Sequence, residues 1–89
     1  MLKITKIQRS GRDVLLKLEG KITEQWAALL DGEGRAYLRR QEVVFLDCSH
    51  VEYIDGRGIE VLNAFPHSLV TLVSTPVFLT ELLQIGGRS

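Results

Sequence analysis

Four apolar residues in a row, Val43, Val44, Phe45 and Leu46, constrain this chain more than any other feature. A run without polar alternation suits a strand covered on both faces, in the middle of a partly parallel sheet. Asp47, Cys48 and Ser49 are small polar residues expected to end it. A loop is then expected to lead to Ile54-Asp55-Gly56-Arg57-Gly58-Ile59. Asp55 is placed to cap a helix by accepting a backbone N–H from the first turn. Strand end and helix start then meet at one edge of the molecule, where open α/β sheets bind ligands and partners.

The rest of the chain supplies elements around that strand. Leu2, Ile4 and Ile7 mark a first strand, and Arg9-Ser10-Gly11-Arg12 reads as a hairpin loop. Val14, Leu16 and Leu18 alternate with Asp13, Lys17 and Glu19, so a second strand buries one face, and Leu15 points to partial cover on the other. Gly20-Lys21 is expected to break it. Thr23 reads as an N-cap before a helix from about Glu24 to Leu38, with Trp26, Leu29, Leu30 and Tyr37 as its apolar stripe. Gly32 and Gly34 each weaken that helix by roughly 1 kcal/mol relative to alanine and mark a place for a bend. Arg39-Arg40-Gln41 is its basic end. A second helix starts near Gly56, turns Ile59, Leu62 and Phe65 inward, and stops at Pro66. Leu69 to Val73 is a fourth strand. Thr75 and Pro76 read as cap and first residue of a last helix, with Phe78, Leu79, Leu82 and Leu83 facing the core and Gly86-Gly87 ending it before an Arg88-Ser89 tail. The order is β-β-α-β-α-β-α. The fold class is α/β: a small mixed sheet, an N-terminal hairpin followed by parallel strands, packed against helices.

Composition narrows the function. Eleven basic and eleven acidic side chains cancel. No positive excess argues for nucleic acid or an anionic membrane as partner. The single cysteine, Cys48, leaves no internal disulfide, and a reducing, cytoplasmic setting is the expectation. The first ten residues lack the apolar core of a signal peptide, and no run approaches the roughly 20 apolar residues of a membrane span. Residues 1–89 read as one domain with a modest core.

In element order and in three local patterns the chain resembles the STAS family, which includes anti-sigma factor antagonists and related domains of anion transporters and some ABC transport systems. Leu18-Glu19-Gly20-Lys21-Ile22 is similar to the family's passage from strand to helix, although Lys21 stands where many members carry an acid. Phe45-Leu46-Asp47-Cys48-Ser49-His50-Val51 resembles its central strand and turn. Ile54-Asp55-Gly56-Arg57-Gly58-Ile59 resembles the segment written hydrophobic-Asp-Ser-Ser-Gly-hydrophobic. In members that cycle through phosphorylation, the modified hydroxyl follows that Asp directly. Here the position is Gly56, which has no hydroxyl. The resemblance therefore implies a non-enzymatic STAS-like module, resembling an anti-sigma factor antagonist, that binds its partner constitutively or is regulated in another way. Its protein partner is a kinase-type anti-sigma factor or, in the family's other role, the ATPase of an ABC-type lipid transport system.

The expected partner-binding residues are Ser49, Asp55, Gly56, Arg57 and Gly58. A helix N-terminus offers free N–H groups and partial positive charge. Arg57 adds a full charge directed at solvent or at an acidic partner, against the plainer reading of a solvated Arg beside two packing glycines. The same helix start also allows a small-ligand or nucleotide binder, although Gly56-x-Gly58 lacks the rest of a dinucleotide fingerprint. Ser49 and Thr75 are the alternative phosphosites, each weaker than its structural reading. Cys48, His50 and His67 are too few and too irregular for a metal centre, and no cofactor is expected. Cys48 reads as a small buried hydrophobe and His50 as a polar loop residue. Asp47 and Asp55, placed at the two ends of one loop, are a candidate carboxylate pair, with turn acceptor and helix cap as the plainer account. Trp26 reads as core, with a partner-binding role as the alternative.

Overall fold

The computed structural model describes residues 1–83. Its elements are β1 (Leu2–Ser10), β2 (Asp13–Ile22), α1 (Glu24–Arg39), β3 (Val43–Ile54), α2 (Gly56–Ala64), β4 (Val70–Val73) and α3 (Val77–Leu82). The expected end of the last helix at Gly86-Gly87 and the Arg88-Ser89 tail lie outside the described residues. The four strands form one sheet in chain order. β1 and β2 are an antiparallel hairpin; β2 and β3, then β3 and β4, pair in parallel. The mixed sheet read from the sequence is therefore the sheet of the molecule.

Period-2 burial explains how the sheet meets the helices. Val14, Leu16 and Leu18 of β2 and Val44, Leu46 and Cys48 of β3 are all fully buried on one face. Ala27 and Leu30 of α1, Val61 and Leu62 of α2 and Leu79 of α3 join them in a single core. Each such fully buried aliphatic side chain stabilises the fold by about 1.5–3 kcal/mol.

Both strands of the central pairing, β2 and β3, outrun expectation. β3 does not end at Asp47 but runs to Ile54, so there is no loop between them. The small polar residues there are absorbed as ladder irregularities. Lys17 pairs with Asp47 and Glu19 with His50, so Cys48 and Ser49 stand opposite Leu18 alone; a second shift leaves Glu52 as the extra residue. β2 likewise continues through Gly20-Lys21. Gly20 sits at φ 110°, which favours glycine; the Met1 carbonyl also occupies the space a Cβ would need, and the Lys21 N–H donates to that carbonyl at 2.9 Å.

The helices depart from the pattern in detail. α1 is one unbroken helix whose buried stripe is Ala27, Leu30, Gly34 and Tyr37; Leu29 is exposed and Trp26 is half-buried against the core. Gly34 is buried because the Phe65 ring lies where its side chain would be, 2.7 Å from the place of a Cβ, whereas Gly32 faces open space. Thr23 holds the N-cap position of α1 but makes no side-chain cap bond. Pro76, not Thr75, is the N-cap residue of α3, and Phe78 and Leu82 are exposed rather than in the core. A helix of only six residues has too few turns to bury its whole apolar set.

Candidate functional site

Where β3 ends, Ile54 passes into Asp55, the N-cap of α2. The Asp55 Oδ1 oxygen accepts the Gly58 N–H at 2.8 Å, so the capping role holds. Its Oδ2 accepts a second backbone N–H, that of Glu24, at 3.1 Å. Glu24 is the first residue of α1, and one carboxylate thus caps two helices. Asp55 is tied a third time: its own N–H donates to the Ile22 carbonyl at 3.3 Å. The β2–α1 and β3–α2 junctions are therefore one unit. Gly58 completes it, for a Cβ there would strike the Ile22 carbonyl oxygen and come within 2.6 Å of Ile54 Cγ1. Glu24 bears the strain of the arrangement, at φ 46° in the left-handed region, which costs a non-glycine residue about 1 kcal/mol or more.

The two residues between cap and packing glycine face outward. Gly56 is exposed, and a Cβ at that position would meet nothing within 4 Å. Arg57 is exposed as well and lines a shallow cleft between α1 and α2, with Ala28, Val61 and Ala64 as its apolar floor. The cleft is rimmed by charge: Asp31, Arg35, Arg57 and Glu60. Arg35 Nε donates to Asp31 Oδ1 at 2.9 Å, one helical turn away, and its guanidinium lies 5.3 Å from the centre of the Phe65 ring.

The structure brings Asp55, Gly56, Arg57 and Gly58 together and leaves Ser49 elsewhere. Ser49 is exposed in the middle of β3, six residues before Asp55, and a strand spans about 3.3 Å per residue, so some 20 Å separate them. Its N–H donates to Asp47 Oδ1 at 3.0 Å, and its Oγ lies 3.0 Å from His50 Nδ1. The Ser49 N–H holds the Asp47 carboxyl below its usual range, against a smaller opposing effect of burial. Asp47 and Asp55 do not approach each other, because the expected loop between them is extended strand. Thr75 follows β4, whose last paired residue, Val73, faces Asp47, so it stands away from Asp55 as well.

Cys48 is fully buried, and burial, with Asp47 next, pushes its thiol up to about 12. His50 is exposed on the strand rather than in a loop. Among the described residues no three His, Cys, Asp or Glu side chains converge as a metal site. Glu24 escaped the sequence reading because its contribution is a backbone N–H from 31 positions away, which no side-chain pattern announces. The Asp31–Arg35 pair carries the i,i+4 spacing of a helical ion pair and was open to detection.

Comparison with known proteins agrees with this fold. A family model described as "Mlab, STAS domain" matches residues 5–87. Nine chains of solved structures match the fold. One, titled the structure of the anti-sigma factor antagonist SpoIIAA in its unphosphorylated form, superposes with a TM-score of 0.77 at 10% identity, covering 94% of this chain and 84% of that one. No curated protein matches the sequence.

Proposed function

This chain belongs to the STAS family, and from that premise we propose that residues 1–89 act as one non-enzymatic, cytoplasmic interaction module whose docking edge is the start of α2. The observation that carries the reading is the division of labour within four residues. Asp55 and Gly58 spend their polar and steric capacity on the fold, while Gly56 and Arg57 are left on the rim. An exposed cation beside a glycine at position 56, where the family's modified hydroxyl would stand, suits an acidic protein surface held without covalent modification. Arg57 supplies the charge, Asp55 and Gly58 hold the turn in place, and Gly56 keeps the approach open. Ser49 serves as a separate contact farther along β3.

The likeness to an anti-sigma factor antagonist structure supports a kinase-type anti-sigma factor as the partner. The glycine at position 56 favours a second reading, an accessory subunit on the ATPase of an ABC-type transporter, where a phosphosite is less central. Genes beside this one choose between the two. With either protein purified, a binding titration tests the edge: Arg57→Glu weakens the complex about tenfold or more, the scale of a lost charge contact at an interface. Incubation with the partner and ATP leaves the mass of the domain unchanged. Undiminished binding by Arg57→Glu, a stoichiometric phosphate, or saturable nucleotide binding by the domain alone would each reject the reading.

A further inference from the structure

The second face of the sheet carries a pattern that the helices do not explain. All three helices contribute to the core on the other face. The molecule measures 32 × 31 × 19 Å, which suits one sheet layer and one helix layer. Among the described residues, no helix covers the second face.

Strand register places the side chains of that face in rows. Ile7, Leu15, Phe45 and Thr71 form one row across all four strands. Ile7 is 43% exposed, Leu15 and Phe45 are half-buried and Thr71 is exposed. The next row is Thr5, Lys17, Asp47 and Val73, and beyond it Lys3 stands beside Glu19, which is itself beside His50. An apolar row is thus bordered by charges whose sign changes between β2 and β3.

We propose that this face is the seat of a second copy of this chain, packed about a twofold axis that runs parallel to the strands between β2 and β3. That axis lays β2 of each copy over β3 of the other and keeps the two sheets aligned, as face-to-face sheets prefer. Leu15 then meets Phe45 of the second copy, and Ile7 meets Thr71. Lys17 meets Asp47, and Asp47 meets Lys17. The face is therefore complementary to itself in both polarity and charge. The molecule's two longer extents, 32 and 31 Å, leave room around this face for the roughly 800 Å² that each partner contributes to a standard interface. The net charge of zero opposes no such association.

Sedimentation equilibrium of the full chain gives the test. The wild type is expected to dimerise, with Ile7→Glu, an exposed position that leaves folding intact, raising the dissociation constant about tenfold or more. Lys17→Asp alone and Asp47→Lys alone are each expected to be monomeric at the same concentration, since positions 17 and 47 then share one sign. Mixed together they are expected to pair, because one chain carries two acids where the other carries two amines. An effect within one chain cannot produce that rescue. Circular dichroism confirms that each variant is folded. A wild type that remains monomeric to about 500 µM, a dimer indifferent to Ile7→Glu and Lys17→Asp, or a mixture that stays monomeric while Ile7→Glu also changes nothing would overturn the proposal.

Discussion

The Oδ2 oxygen of Asp55 accepts the backbone N–H of Glu24 at 3.1 Å across 31 positions of chain. The other oxygen of the same carboxylate holds Gly58. Two helix starts that are far apart in the sequence therefore share one acceptor. Asp55→Ala removes both caps, and at about 1 kcal/mol per cap the expected loss is about 2 kcal/mol in urea denaturation. Asp55→Asn keeps one acceptor oxygen and is expected to lose about half as much. An Asp55→Asn variant as stable as the wild type would show that the second cap contributes nothing.

The two glycines of α1 are expected to respond oppositely to one substitution. Gly32→Ala meets open space and replaces a poor helix former, for a gain of about 1 kcal/mol. Gly34→Ala forces a methyl group toward Phe65, whose ring is only 3% exposed and has nowhere to go. A loss of about 1–3 kcal/mol is expected, the usual cost of overpacking. Denaturation midpoints of the two variants, moving in opposite directions, are the check.

Those glycines also mark where reading the sequence stops. Both weaken a helix by the same propensity, and the difference between them is the ring of Phe65, just past the end of α2 and 31 positions from Gly34. Elements with a strong local signal were legible: the apolar run of β3, the alternation of β2, and Asp55 before the α2 start. The element order and the sense of each strand pairing followed from these. What was illegible is set by distant backbone. The polar Asp47-Cys48-Ser49 segment reads as a strand end, yet β2 continues alongside and carries β3 on to Ile54 through two irregularities. Leu29 and Phe78 fit helical stripes but face outward, because burial depends on which side the neighbouring element takes. In the candidate site, Asp55 and Arg57 stand where the pattern put them, while Ser49 is carried away by strand that was expected to be loop.

Gln41 closes α1 in an unusual way. Its N–H donates to the Leu38 carbonyl at 2.9 Å and the Glu42 N–H to the Tyr37 carbonyl at 3.1 Å, the paired bonds of a Schellman cap, with Gln41 at φ 63°. Glycine is the residue that this position prefers. Gln41→Gly is expected to stabilise the domain by about 1 kcal/mol despite the loss of its 3.3 Å side-chain bond to Arg12, raising the melting temperature by roughly 4–8 °C. An unchanged or lower melting temperature would show that the left-handed turn carries no strain.

Cys48 should be silent in the folded protein. Its thiol is shifted from 9.0 up to about 12 by burial, so the reactive thiolate is scarce and the sulfur inaccessible. Alkylation at pH 8 is expected to follow unfolding, faster in urea and in step with the loss of circular dichroism. Because the folded state holds the proton more tightly, this contribution to stability is whole below about pH 9 and fades as pH rises from there toward 12. Cys48→Ala should flatten that alkaline decline.

The parallel pairing of β2 with β3 joins residues such as Val14 and Val44 that leave the ribosome far apart in time. At roughly 5–20 residues per second, the intervening stretch takes some two to six seconds to make. The β1–β2 hairpin needs only its own short turn to form. Until β3 arrives, the edge it will occupy is open to any other strand that reaches it first. Newly made chains are thus most vulnerable in the interval before the central strand emerges, and whatever shields them must act there.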